Sequence, residues 1–163
     1  MRRAPALVVD VSASGVRAPL GRERIAELAR RVMRAERVRD AMLSIALVSP
    51  AEIARLNRRH LDHRGATDVI SFGARRASAS TPVVGDVYIA PDVARANARQ
   101  YGVPVREELA RLVVHGVLHV LGHDHPDGEA RESSDMWRRQ ERHVKRAMHH
   151  VTRVKRDTRG TLG

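Results

Sequence analysis

Cysteine is absent from the 163 residues, which removes disulfide scaffolds, thiolate zinc fingers, iron–sulfur clusters and cysteine nucleophiles together. Any zinc site must therefore draw on histidine and carboxylate. Aromatic side chains are almost as scarce. Phe72, Tyr88, Tyr101 and Trp137 make up 2% of the chain, too few for a sheet that reads RNA by stacking bases on rings. Lysine is confined to Lys145 and Lys155, against 28 arginines; a GC-rich coding genome accounts for that bias as readily as a need for guanidinium chemistry. No window approaches the roughly eighteen apolar residues of a membrane-spanning helix. Met1-Arg2-Arg3 leads into a short apolar stretch that Asp10 interrupts, and the small-residue cleavage pattern is weak. No secretory signal is read, and the expected location is the cytoplasm.

What is present describes one soluble domain. Apolar residues at 42% and charged residues at 30% suit a globular chain, and the length suits a single core. The net charge is +11, with a pI near 11.4. Residues 138–163 hold nine basic and two acidic residues, so most of the excess lies at the C-terminal end. Such a charge favours nucleic acid or another anionic surface.

Periodicity supplies a coarse outline. Strands are expected at Ala6–Val11, Met42–Val48, Thr67–Phe72 and Gly85–Ala90, from β-branched and alternating runs. Helices are expected at Arg22–Arg34, from Ser49-Pro50 to Leu56, from Pro91 to Gln100, at Val105–Leu121, and from the Pro126-Asp127-Gly128 turn to Met148. Arg58–Ala66 reads as an exposed basic loop. The fold class is thus α/β (α+β), a single domain with a small mixed four-stranded sheet and about five helices. Residues 1–148 form the domain, and 149–163, lacking apolar periodicity, read as a basic disordered tail.

One segment carries chemistry: His115-Gly116-Val117-Leu118-His119-Val120-Leu121-Gly122-His123-Asp124-His125. His115 and His119 lie about one helical turn apart, so their rings share a face. Gly122 permits a left-handed turn that can bring His125 back to them. Three neutral imidazoles with a position left open is the arrangement of a catalytic zinc site, where a bound water becomes the nucleophile. His123 is expected to point away. The spacing equals that of the metzincin proteases, His-Glu-x-x-His-x-x-Gly-x-x-His, but the place of their general-base glutamate is taken by Gly116.

The segment resembles the signature of the YbeY-type endoribonucleases, His-Gly-x-Leu-His-x-x-Gly-x-Asp-His. Leu56-Asn57 followed by Thr67-Asp68-Val69-Ile70-Ser71-Phe72 is similar to that family's Leu-Asn and Thr-Asp-Val-Leu-Ser-Phe blocks. Gly85-Asp86-Val87-Tyr88-Ile89-Ala90-Pro91 and Asp135-Met136 with Gln140-Glu141 match two further blocks in order. The resemblance implies metal ligands at His115, His119 and His125, with one zinc ion per chain. It implies a single-strand-specific endoribonuclease acting in 16S ribosomal RNA 3′-end maturation and ribosome quality control, with ribosomal RNA and the small ribosomal subunit as partners. Neither membrane nor DNA is an expected partner. Three positions depart from the pattern. The family's Tyr-Arg pair, whose arginine is tied to activity, falls on His60 and Leu61; its usual proline falls on Ala66, and an aromatic on His123.

Arg58, Arg59 and Arg64, close to Leu61, are the candidate substrate contacts, since guanidinium pairs with phosphate oxygens; a solvated helix end is the plain alternative. Asp124 is expected in a supporting role, accepting an imidazole N–H or capping the turn, with a proton shuttle as the alternative. Asp68 and Asp86 are expected to hold turns and sheet edges rather than act as bases, and the general base is not identified. Two other functions stay open: a zincin-like metallopeptidase, and a ribosome-associated binding protein with structural zinc.

Overall fold

The computed structural model describes residues 3–61, 68–74 and 76–159, the side chains at 60, 61 and 151–159 excepted. The elements are β1 (Leu7–Ala13), α1 (Arg22–Ala35), β2 (Ala41–Leu47), α2 (Pro50–Leu61), β3 (Val69–Gly73), β4 (Val83–Ile89), α3 (Pro91–Tyr101), α4 (Val105–Val120) and α5 (Asp135–Arg159), with a 3₁₀ turn at Gly128–Arg131. The sheet has the order β1-β2-β4-β3; β1, β2 and β4 are parallel and β3 is antiparallel to β4. The mixed four-stranded sheet with five helices is the expected architecture.

Side-chain alternation along the strands sets the layers. Ala41, Leu43, Ile45 and Leu47 of β2 share a face with Val83, Val87 and Ile89 of β4, buried against Ile25, Ala29 and Val32 of α1 and Leu109, Val113 and Val117 of α4. The opposite face is covered at one end, where Ile53 of α2 packs with Ile70 and Ala90 and with Ala46, Phe72 and Tyr88 at the margin. Val8, Met42 and Val84, in register across three strands, stay exposed on that face.

Helix α4 is the centre of the molecule, packed on β3 and β4 and flanked by α1, α3 and α5. It can lie this close because position 116 carries no side chain. A Cβ there would come within 2.5 Å of Val87 Cγ1, and a β-branched neighbour cannot swing aside.

Several boundaries differ from the sequence reading. Helix α2 does open at a serine cap, with Ser49 Oγ accepting from Glu52 N–H at 3.2 Å. It runs on to Leu61, however, through residues read as loop; arginine is a good helix former and no breaker intervenes before Gly65. Helix α5 starts at Asp135, after Ser134 accepts from Trp137 N–H at 3.2 Å, and continues to Arg159. The helix therefore enters the segment read as a tail. Val144, Met148, Val151 and Val154 keep helical spacing there, and glycine first returns at Gly160. Strand β3 begins at Val69; Thr67 lies outside the described residues.

Candidate metal centre

The C-terminal end of α4 places the three histidines. Leu121 ends the helix, Gly122 takes φ +95°, and two backbone bonds close the turn: Gly122 N–H to His119 O and His123 N–H to Leu118 O, both 3.0 Å. This is a Schellman ending, which returns the chain toward the last helical turn. The nitrogens that His115, His119 and His125 can offer a metal lie within 4.8 Å of one another. Their ring centroids are 4.6 to 5.1 Å apart.

The hydrogen bonds determine which nitrogens are free. His115 Nδ1–H donates to Gln140 Oε1 at 2.7 Å. The Gln140 amide is oriented for this because its Nε2 donates to Glu141 Oε1 at 3.2 Å. His125 Nδ1–H donates to the carbonyl of Pro126 at 3.0 Å. In both rings the Nε2 lone pair is left for a ligand, as neighbouring partners of metal-binding histidines ordinarily arrange. The Nε2 atoms of His119 and His125 are 3.3 Å apart. Two imidazole nitrogens on a tetrahedral zinc ion, each about 2.0–2.1 Å from it, would be separated by about that much. The donor set fits a divalent ion with a preference for imidazole.

Electrostatics favours the neutral forms of His115 and His119, the form in which imidazole binds a metal. Burial pushes His115 down to about 3, its Gln140 hydrogen bond opposes the shift, and the charges of His119, Arg131 and His125 add to it. His119 is lowered by burial and by His125, against Asp124 and a backbone bond with His123.

His123 points away from the cluster, as expected, and its Nε2 lies 3.4 Å from Glu36 Oε2. Glu36, just past α1, also accepts from Arg139 at 2.9 Å and from His143 at 2.9 Å, both on α5. Burial works against its charge, but the His143 hydrogen bond and the Arg139, His143 and His123 charges outweigh that and lower its pKa. This carboxylate ties the residue between the second and third histidines to two helices. Asp124 takes the turn role, with Oδ1 accepting from His125 N–H at 2.8 Å.

A cavity of about 350 Å³ opens beside His115. Asp68, Asn97, Arg111, Arg131, Trp137 and Gln140 help line it. Asp68 accepts from Asn97 at 3.2 Å, a structural bond of the expected kind, but at the site's edge rather than in a remote turn. Arg58 and Arg59 are exposed on α2, on the sheet face away from α4, and do not line this cavity. Arg64 lies outside the described residues. Gln140, Glu36, Arg111 and Arg131 were not singled out for roles from sequence. Gln140 had a readable signal, since it interrupts the apolar row Met136, Val144 on the buried side of α5. The Glu36 contacts with Arg139 and His143 span more than 100 residues and had none.

The family profile "Endoribonuclease YbeY" matches residues 14–148. An endoribonuclease YbeY of Frankia casuarinae is 42% identical over 126 residues, covering 71% of this chain and 62% of the relative. That of Thermobifida fusca is 39% identical over 128 residues, covering 73% of this chain and 81% of the relative. A solution structure of a Thermotoga maritima protein is similar in fold, with a TM-score of 0.61 at 23% identity over 89% of this chain and 92% of that one.

Proposed function

The chain belongs to the endoribonuclease YbeY family, and from that premise we propose that it is a zinc-dependent, single-strand-specific endoribonuclease acting in 16S ribosomal RNA 3′-end maturation and ribosome quality control. Its partners on this reading are ribosomal RNA and the small ribosomal subunit, in the cytoplasm. No helix among the described residues is long and apolar enough to cross a membrane. The observation that carries the proposal is the convergence of three imidazoles, two with Nδ1 tied off by Gln140 and the Pro126 carbonyl.

His115, His119 and His125 would hold the ion. When bound, it supplies Lewis acidity, which lowers the pKa of a water and polarises a phosphate oxygen. The chain's own residues do the rest. Gln140 fixes the tautomer of His115, Asp124 and Gly122 shape the turn that presents His125, and Glu36 restrains that turn through His123. The peptidase alternative finds little support at position 116, because Val87 occupies the space into which a side chain would start.

The reading is tested by removing the protein from its host and mapping ribosomal RNA 3′ ends, alongside assays of the purified protein on structured RNA with a single-stranded 3′ extension and on casein. Extended 3′ ends and chelator-sensitive RNA cleavage are expected. Cleaved casein with intact RNA would favour the peptidase. Ribosome co-sedimentation without turnover would favour the binding protein.

A further inference from the structure

Two guanidinium groups line the cavity beside His115, and their situations are opposite. Arg111 is saturated by carboxylates: it donates to Glu141 at 2.8 Å, to Glu107 at 2.9 Å and to Glu108 at 3.0 Å. These partners raise its pKa, the Glu141 hydrogen bond most, against the cost of burial. Its charge is spent within the protein, and it has little left for a ligand. Arg131, at the end of the 3₁₀ turn, forms no ion pair among the described residues. Its Nε is enclosed and has no hydrogen-bond partner among them. Its guanidinium carbon lies 6.0 Å from the centre of the Trp137 ring, at the outer range of a cation–π contact.

A cation left unpaired in a cavity that also exposes a candidate metal ligand is suited to an anion that reaches both. The cavity's volume of about 350 Å³ falls within the range of small-ligand sites, about 300–1,000 Å³.

We infer that Arg131 is the phosphate-binding residue of this site, taking a phosphodiester oxyanion of the RNA beside the ion held by His115, His119 and His125. The inference rests on the endoribonuclease reading for the identity of the phosphodiester. Arg131, which lines the cavity where Arg58 and Arg59 do not, is then the guanidinium that meets the substrate there. The contact with Trp137 orients the guanidinium, and Trp137, the sole tryptophan of the chain, reports on its occupancy.

The test uses the zinc-loaded full chain with inorganic phosphate and a short single-stranded oligoribonucleotide, followed by calorimetry and by Trp137 fluorescence. Arg131→Gln is expected to weaken oligonucleotide binding by about 10- to 100-fold, the usual loss for a charge-assisted hydrogen bond. It should also make the salt dependence shallower by the equivalent of one phosphate contact. Zinc content and melting temperature should match the wild type. Arg131→Lys, which keeps the charge but loses the fork, should fall between the two. Wild-type binding and cleavage by Arg131→Gln with zinc in place would overturn the inference while leaving the endoribonuclease reading intact. Phosphate and oligonucleotide binding that depends on Arg131, in a protein that cuts no RNA, would uphold the anion site and overturn the activity. Should Arg131→Gln fail to fold, Arg131→Lys decides: affinity and kcat/KM equal to wild type would contradict the inference.

Discussion

The side chain that best distinguishes a prepared metal site from three neighbouring histidines is Gln140. It is almost wholly buried, its oxygen receives His115 Nδ1–H, and its nitrogen is anchored on Glu141. Glu141 in turn binds Arg111, so a continuous polar chain runs from α5 into the cavity wall. Replacing Gln140 by leucine keeps the volume and removes the acceptor. The expected outcome is a 10- to 100-fold loss of zinc affinity with the fold retained, measured by competition with a chelator. A second prediction concerns pH in the metal-free protein. His115 has its ordinary pKa of 6.5 when unfolded and about 3 when folded. The folded state therefore holds fewer protons in that interval. Its contribution to stability is fully present above pH 6.5 and is lost as pH falls toward 3, at up to about 1.4 kcal/mol per pH unit. Urea unfolding at a series of pH values should show this slope, shallower in His115→Asn. Identical slopes would count against the buried neutral imidazole.

At the scale of elements, α4 joins packing to site geometry. Its sheet-facing side must be bare at position 116 for its other side to present His115 and His119 at this depth. Gly116→Ala is expected to destabilise the domain by about 1–3 kcal/mol in denaturant unfolding, because the added carbon meets Val87 at 2.5 Å. Much of this was legible in the sequence. The apolar run of α4, the glycine stop and the i, i+4, i+10 histidines together indicated a helix end carrying a metal cradle, and the turn at Gly122 forms it. Element ends were less legible where local signals were weak. The residues Arg58–His60 are polar and carry no apolar stripe, so only their helix propensity spoke for extending α2. Glu36 and Arg131 could not be found locally at all. Their importance comes from tertiary neighbours, His123, Arg139 and His143 for the first and the His115 cavity for the second.

For the whole molecule, charge is distributed unevenly. The excess concentrates in α5 and the residues after it, where 138–163 supply nine of the 30 basic side chains and two of the 19 acidic ones. The metal cradle sits near the start of α5, through Gln140, whereas the basic excess extends along the helix toward Arg159. On the proposed reading, attachment to RNA and cutting of RNA would be separable along a single helix. Removing residues 150–163 should weaken binding of long RNA and flatten its salt dependence, while zinc content stays at one ion per chain. An unchanged salt slope would assign the attachment to another surface.

The account is tested most directly by titrating zinc into the metal-free protein while following cleavage of an RNA with a single-stranded 3′ extension. Cleavage should rise from near zero and saturate at one zinc per chain, and it should stay absent when His115, His119 and His125 are all alanine. Cleavage that does not depend on zinc, or that survives loss of the three histidines, would contradict it.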